Sequence, residues 1–259
     1  MAKELDILFN VAGNLIRDYA KVKLGFPNQE PGGLGGQSNE LPEVGDIPEI
    51  KNLQNKDGHV ITILGRPEIG KSVLAARIAE IISKPTYIIS PVARPPRWMT
   101  QIDIKDVETE PPPYSTLILD DMLEYMNNKT YYDKYVQLLE KVIFTARHER
   151  KLMVISCSQS SGLGDRHALA GGIICLKPPS ILFEDLDRPH VIKLHKRAMP
   201  NWEGRSERWL QRHAYILTHT WEGLVRVNKP TGKDIVLEGD FEAKEEVIEP
   251  LEDLGGVED

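Results

Sequence analysis

The sequence predicts an α/β domain: a mostly parallel sheet flanked by helices, with a C-terminal β-hairpin at its edge. Three observations predict it. Short apolar runs rich in Ile and Val recur over residues 59–176, each with the length of a buried strand. Helical spacing fills intervals between them, as the crossovers of a parallel sheet require. The last patterned stretch, residues 214–228, instead alternates about Trp221-Glu222-Gly223, which reads as a hairpin.

The elements follow in chain order. Residues 1–25 hold an amphipathic helix over 3–22, with Leu5, Leu8, Ala12, Leu15, Tyr19 and Val22 at three- and four-residue steps. Residues 26–55 read as a Gly/Pro-rich linker, where Pro27, Pro31, Gly32, Gly33, Gly35, Gly36, Pro42, Gly45 and Pro48 break the periodicity. The helix so tethered either docks on another protein or packs on its own domain. A folded domain over 56–238 begins with a buried strand, 59–64, between Gly58 and Gly65. A helix over 72–82 follows. Residues 85–90, 116–119, 152–158 and 172–176 are further strands, and 131–147 is a helix between the third and fourth runs.

At 259 residues, 41% apolar and 27% charged, the composition is that of a soluble globular chain. No run approaches the ~18 apolar residues of a membrane span. Glu4 and Asp6 interrupt any secretory pattern, so a cytoplasmic location is expected. Cys157 and Cys175 each sit in an apolar run without a CxxC partner, and they read as small core residues. Net charge is −7, but residues 239–259 carry nine acids against Lys244. Removing those from the 39 acids and 32 bases leaves a balance of +1, so the acidity belongs to the tail, which is expected to be disordered.

Residues 65–72, Gly-Arg-Pro-Glu-Ile-Gly-Lys-Ser, fit G-x-x-x-x-G-K-[ST] between a strand and a helix. Gly65 and Gly70 let the backbone wrap closely around phosphate oxygens. The amides of Arg66, Pro67's neighbours Glu68 and Ile69, and the helix start at Ser72 and Val73 then face an anion. Lys71 reaches the outer phosphates, and the Ser72 hydroxyl ligates Mg²⁺. The pattern predicts ATP and Mg²⁺ binding over Gly65, Arg66, Pro67, Glu68, Ile69, Gly70, Lys71, Ser72 and Val73.

Leu117-Ile118-Leu119-Asp120-Asp121 is an apolar strand ending in two carboxylates. Asp120 is assigned to Mg²⁺ and Asp121 to the attacking water, with Glu124 as the other available carboxylate. Gln159 follows the strand over 152–158. It is either a sensor of the γ-phosphate, the arrangement of additional-strand P-loop ATPases, or a strand cap. Arg147 ends a helix and is either an arginine finger reaching a neighbouring subunit or a cation on the helix dipole.

Together GRPEIGKS, LILDD, and ARH followed eleven residues after His148 by the Gln of VISCSQ resemble the genome-packaging ATPases of poxviruses and of tailless viruses with an internal membrane. These belong to the FtsK–HerA superfamily of ring-forming DNA pumps. The resemblance spans residues 58–180. It implies a motor that hydrolyses ATP in a homo-oligomeric ring and moves double-stranded DNA. Its Walker A falls on residues 65–72, its Walker B on Asp120 and Asp121, and its sensor on Gln159. Pro67 and Glu68 make the loop less Gly-rich than in many members. A capsid or membrane protein is a possible dock for the N-terminal helix. Residues 188–212 add seven basic residues (Arg188, Lys193, Lys196, Arg197, Arg205, Arg208, Arg212) with Trp202 and Trp209 interleaved, a surface suited to tracking phosphates. Two alternatives stay open: an ATPase driving protein or filament assembly or secretion, and a small-molecule kinase.

Overall fold

The computed structural model describes residues 41–90, 95–120, 132–159, 172–180 and 189–231. The N-terminal helix, the linker up to residue 40, Asp121, Glu124, Arg188 and the acidic tail lie outside the described residues.

Residues 41–55, expected to end the linker, belong instead to the core. Val44, Ile47, Ile50 and Leu53 are all buried. Their three-residue spacing suits two 3-10 turns, Val44–Asp46 and Asn52–Asn55, around helix α1, Pro48–Lys51. Pro48 stands within the first turn of α1, where its missing N–H costs nothing. The residues that suggested a linker are thus the turn formers of a tightly packed strap.

Eight strands form one sheet: β1 (His59–Leu64), β2 (Thr86–Ile89), β3 (Met99–Gln101), β4 (Thr116–Leu119), β5 (Met153–Ser158), β6 (Ile173–Leu176), β7 (His213–Leu217) and β8 (Glu222–Arg226). Their order is β3-β2-β4-β5-β1-β6-β7-β8. All pairs from β3 to β6 are parallel, while β6–β7 and β7–β8 are antiparallel. The predicted hairpin is therefore present at the sheet edge. The helices are α2 (Lys71–Ile82), α3 (Tyr132–Thr145), α4 (Pro189–Ala198) and α5 (Glu207–Gln211).

Side-chain alternation along the strands sorts the core into layers. Ile61, Ile63, Ile118, Ile155 and Ile216 face α2 and the 44–53 strap. Leu117, Leu119 and Val154 face Leu139, Val142 and Ile143 of α3. Leu64, Leu176, Tyr215 and Leu217 face Val191 of α4, Trp202 and Leu210 of α5. Cys157 and Cys175 lie in register on either side of Ile63. Two strand spacings, about 9–10 Å, separate them, too far for a disulfide, and both are free and buried as expected.

The back of α2 gathers both ends of the domain. Buried Glu80 accepts hydrogen bonds from the Thr231 amide at 2.7 Å and its hydroxyl at 2.8 Å. Arg77 pairs with both Glu80 and Glu43. The Arg226 amide donates to the Pro42 carbonyl at 2.8 Å.

Candidate functional site

The site forms where β1 ends and α2 begins. The loop leaves the sheet at Gly65, whose amide donates to the Ser158 carbonyl at 3.2 Å. A Cβ on Gly65 would stand 2.5 Å from the Lys177 side chain, so no larger residue fits. Gly70 caps α2 at φ 87°, and its Cβ would fall 2.8 Å from the Gln211 carbonyl oxygen. Both glycines of the motif are therefore required by contacts as well as by backbone shape. Glu68 also takes a left-handed φ of 59°, while Ile69 anchors the loop apex as a fully buried side chain.

Lys71 is the first residue of α2 and is only 7% exposed. Its ammonium folds back into the loop and donates to the Arg66 carbonyl at 2.9 Å. Val73, two residues further, is among the exposed large apolar residues. The Ser72 hydroxyl donates to Oδ1 of Asp120 at 2.9 Å, across 48 residues of sequence. Asp120 directly follows β4, is buried, and takes a second hydroxyl at Oδ2 from Ser90, which directly follows neighbouring β2, at 3.3 Å. One hydroxyl and one carboxylate so converged offer the hard oxygen donors that suit Mg²⁺, which keeps several waters and needs few protein ligands. Among the described residues no cluster of three or more His, Cys, Asp or Glu side chains could hold a metal on its own.

β5 lies between β1 and β4, so a strand separates the loop from Asp120. The chain is a P-loop protein of the additional-strand type. Gln159 emerges directly past β5, part-buried, between the Gly65 turn and Asp120. Cys157 of β5 sits beside Asp120, and burial together with that carboxylate holds its thiol well above the usual range. It is thus a neutral packing residue and no nucleophile.

Arg147 occupies the opposite end of the sheet. A Cβ on Gly58 would come 2.9 Å from the Arg147 Cα, which places Arg147 beside the start of β1. Six residues of β1, about 20 Å, separate it from the P-loop, more than an arginine side chain spans. Its exposed side chain cannot serve this chain's own loop.

The basic stretch differs from expectation. Trp202 is 7% exposed and packs in the core with Leu64 and Ile69. Trp209 is already engaged: His213 stacks at 3.8 Å and the Arg205 guanidinium lies 4.8 Å from its ring centre. Neither indole is an open stacking platform. Arg197 pairs with Glu222 at 2.7 Å. Lys193, Lys196, Arg205, Arg208 and Arg212 are exposed, so the positive surface remains after the aromatic part is removed.

Sequence reading missed Ser90, Lys177, Glu207 and Gln211. The first signal was a serine closing the apolar run 86–90; the others depend on contacts between distant segments. Lys177 follows β6 directly and is fully buried. Burial pushes its ammonium down to about 7.

No protein-family profile matches the chain. No curated protein sequence matches it either. Among solved structures it is similar to the DNA-packaging ATPase B204 from Sulfolobus Turreted Icosahedral Virus, with 12% identity and a TM-score of 0.44 over 67% of this chain and 99% of that one. It is similar to the pCW3 conjugation coupling protein TcpA, with 9% identity and a TM-score of 0.49 over 69% and 63% of the two chains. It is similar to Thermomonospora curvata EccC (ATPases 2 and 3), with 13% identity and a TM-score of 0.44 over 79% and 45%. Among the described residues no helix of this P-loop chain is long and apolar enough to cross a membrane.

Proposed function

We propose that this chain is a Mg²⁺-dependent ATPase of the FtsK–HerA type, acting as a homo-oligomeric ring that translocates double-stranded DNA, in viral genome packaging. The observation that carries the hydrolytic reading is the Ser72–Asp120 hydrogen bond beneath the glycine loop, with β5 inserted between. Loop amides and Lys71 bind the phosphates. Outer phosphates take over the ammonium now held by the Arg66 carbonyl. Ser72 and Asp120 hold Mg²⁺, which when bound offsets the negative charge that builds on the phosphate oxygens. Ser90 keeps Asp120 oriented through its second oxygen. Asp121 accepts the proton of the water that attacks the γ-phosphorus as the bond to the leaving ADP breaks. Gln159 orients that water or the γ-phosphate.

DNA movement is supported by the motif resemblance and by the exposed cations of residues 193–212. ATP turnover with and without linear duplex DNA tests it. DNA is expected to stimulate turnover several-fold at low salt and less as salt rises. Turnover indifferent to DNA would favour a motor acting on protein. No turnover under any condition would sink the ATPase reading.

Arg147, out of reach of its own loop, acts on the neighbouring subunit's phosphates in the ring. Mixing Arg147→Ala with Lys71→Ala chains should then restore part of the activity that each lacks alone. No recovery at any ratio would leave Arg147 as a structural cation.

A further inference from the structure

The short helix α5 touches the P-loop at four places, though no residue of α5 belongs to the nucleotide motif. The Glu207 carboxylate pairs with the Arg66 guanidinium at 2.5 Å. The Gln211 side-chain amide donates to the Glu68 carbonyl at 3.2 Å. The Gln211 carbonyl lies against Gly70, 2.8 Å from where its Cβ would stand. Leu210 packs in one cluster with the loop apex Ile69. These contacts reach the first, middle and last thirds of the loop.

A single buried side chain closes the arrangement. The Lys177 ammonium donates to the Gln211 carbonyl at 2.8 Å and to the Leu210 carbonyl at 3.5 Å. Those are the carbonyls of the last two residues of α5, at the negative end of its dipole. The Lys177 amide meanwhile donates to the Leu64 carbonyl at 2.7 Å, one residue before the loop, and its Cβ fills the space beside Gly65. Lys177 therefore grips the loop's stem with its backbone and α5 with its side chain. Among the described residues no carboxylate is a hydrogen-bond partner of this ammonium. A methionine of similar length would be cheaper to bury, but would leave both carbonyls without that donor.

We propose that Glu207–Gln211 is a clasp that fixes the shape of the phosphate loop, and that Lys177 is the positioning residue that closes it. The proposal rests on the reading that the loop binds ATP. The clasp holds loop amides that meet the phosphates alike in the ground and transition states. Loosening it therefore weakens substrate binding and leaves the chemical step nearly intact.

The test uses the full chain, with fluorescent-ATP binding, steady-state kinetics and thermal melting measured together. Lys177→Met should raise KM for ATP about tenfold with kcat within about twofold. Gln211→Ala, which removes only an exposed donor to the Glu68 carbonyl, should raise KM about threefold. A folded Lys177→Met with lowered Tm and unchanged KM would make the lysine merely structural and overturn the proposal. If Lys177→Met does not fold, an unchanged KM in Gln211→Ala overturns it instead. A wild-type chain that binds no ATP overturns the nucleotide reading itself, and is distinguished by failing before any variant is compared.

Discussion

Lys71 and Lys177 are both buried beside the P-loop, one at each of its ends, and they reached that position by different routes. Lys71 is fixed by its immediate neighbours: a glycine before it, a helix after it, and a carbonyl five residues back that holds its ammonium. Lys177 is fixed by residues 33 and 34 positions further along, on a helix whose own pattern gives no hint of the contact. The local lysine is held by its own motif and the distant one by tertiary docking. The two therefore respond to substitution in different currencies, turnover for the first and loop shape or stability for the second.

The largest expected contrast is at the motif. If Lys71 meets phosphates as proposed, Lys71→Ala removes that charge and little packing, so turnover should fall about 10²–10³-fold while the melting transition stays close to wild type. Near-normal turnover would remove the site assignment. Trp202→Ala is the reciprocal test. A core indole predicts a loss of about 3–5 kcal/mol in chemical denaturation. A surface stacking residue predicts no stability change and weaker DNA binding. Smaller again is the effect of Arg208→Ala and Arg212→Ala. Each exposed cation lost should lower the slope of log affinity against log salt for duplex DNA by about one, with unchanged melting.

The last contrast is a pH trend. Burial lowers the Lys177 ammonium from its ordinary 10.5 to about 7, so between these values the unfolded chain holds more protons than the folded one. This group's contribution to stability therefore rises with pH across that window and is flat below about 7. Denaturation of wild type and Lys177→Met should show the gap shifting towards the wild type from pH 7 to 10. A gap independent of pH would mean that the lysine keeps its ordinary affinity for protons.

How much of this was legible in the sequence follows the same division. The strands of the parallel centre were legible because each is a continuous apolar run, as expected when both faces are covered. The pairing of Ser72 with Asp120 followed from motif chemistry, though 48 residues intervene. Strand β3 escaped notice because Met99–Gln101 has one buried residue followed by two exposed ones. Helix α4 was hidden among charges, although Val191, His195 and Ala198 mark its buried face. The 44–53 strap reads as a linker because Pro42, Gly45 and Pro48 mask the step of three in Val44, Ile47, Ile50 and Leu53. Lys177 follows the apolar run 172–176 with nothing local to mark it as buried; the Gln211 carbonyl that holds its ammonium lies 34 residues further on.

The Glu80 staple has a consequence for engineering. Thr231 is held to α2 by Glu80, Glu43 to the same carboxylate through Arg77, and Pro42 to the last strand through the Arg226 amide. The described domain thus starts and stops at one patch of its surface. Its chain path is nearly a closed loop, and a short peptide joining residue 231 to residue 42 should complete it. The exposed turn around Glu110, Pro112 and Pro113 lies outside the site and could be opened to supply new termini. A circular permutant of this design should still bind ATP, and it would carry any fused cargo away from the phosphate loop.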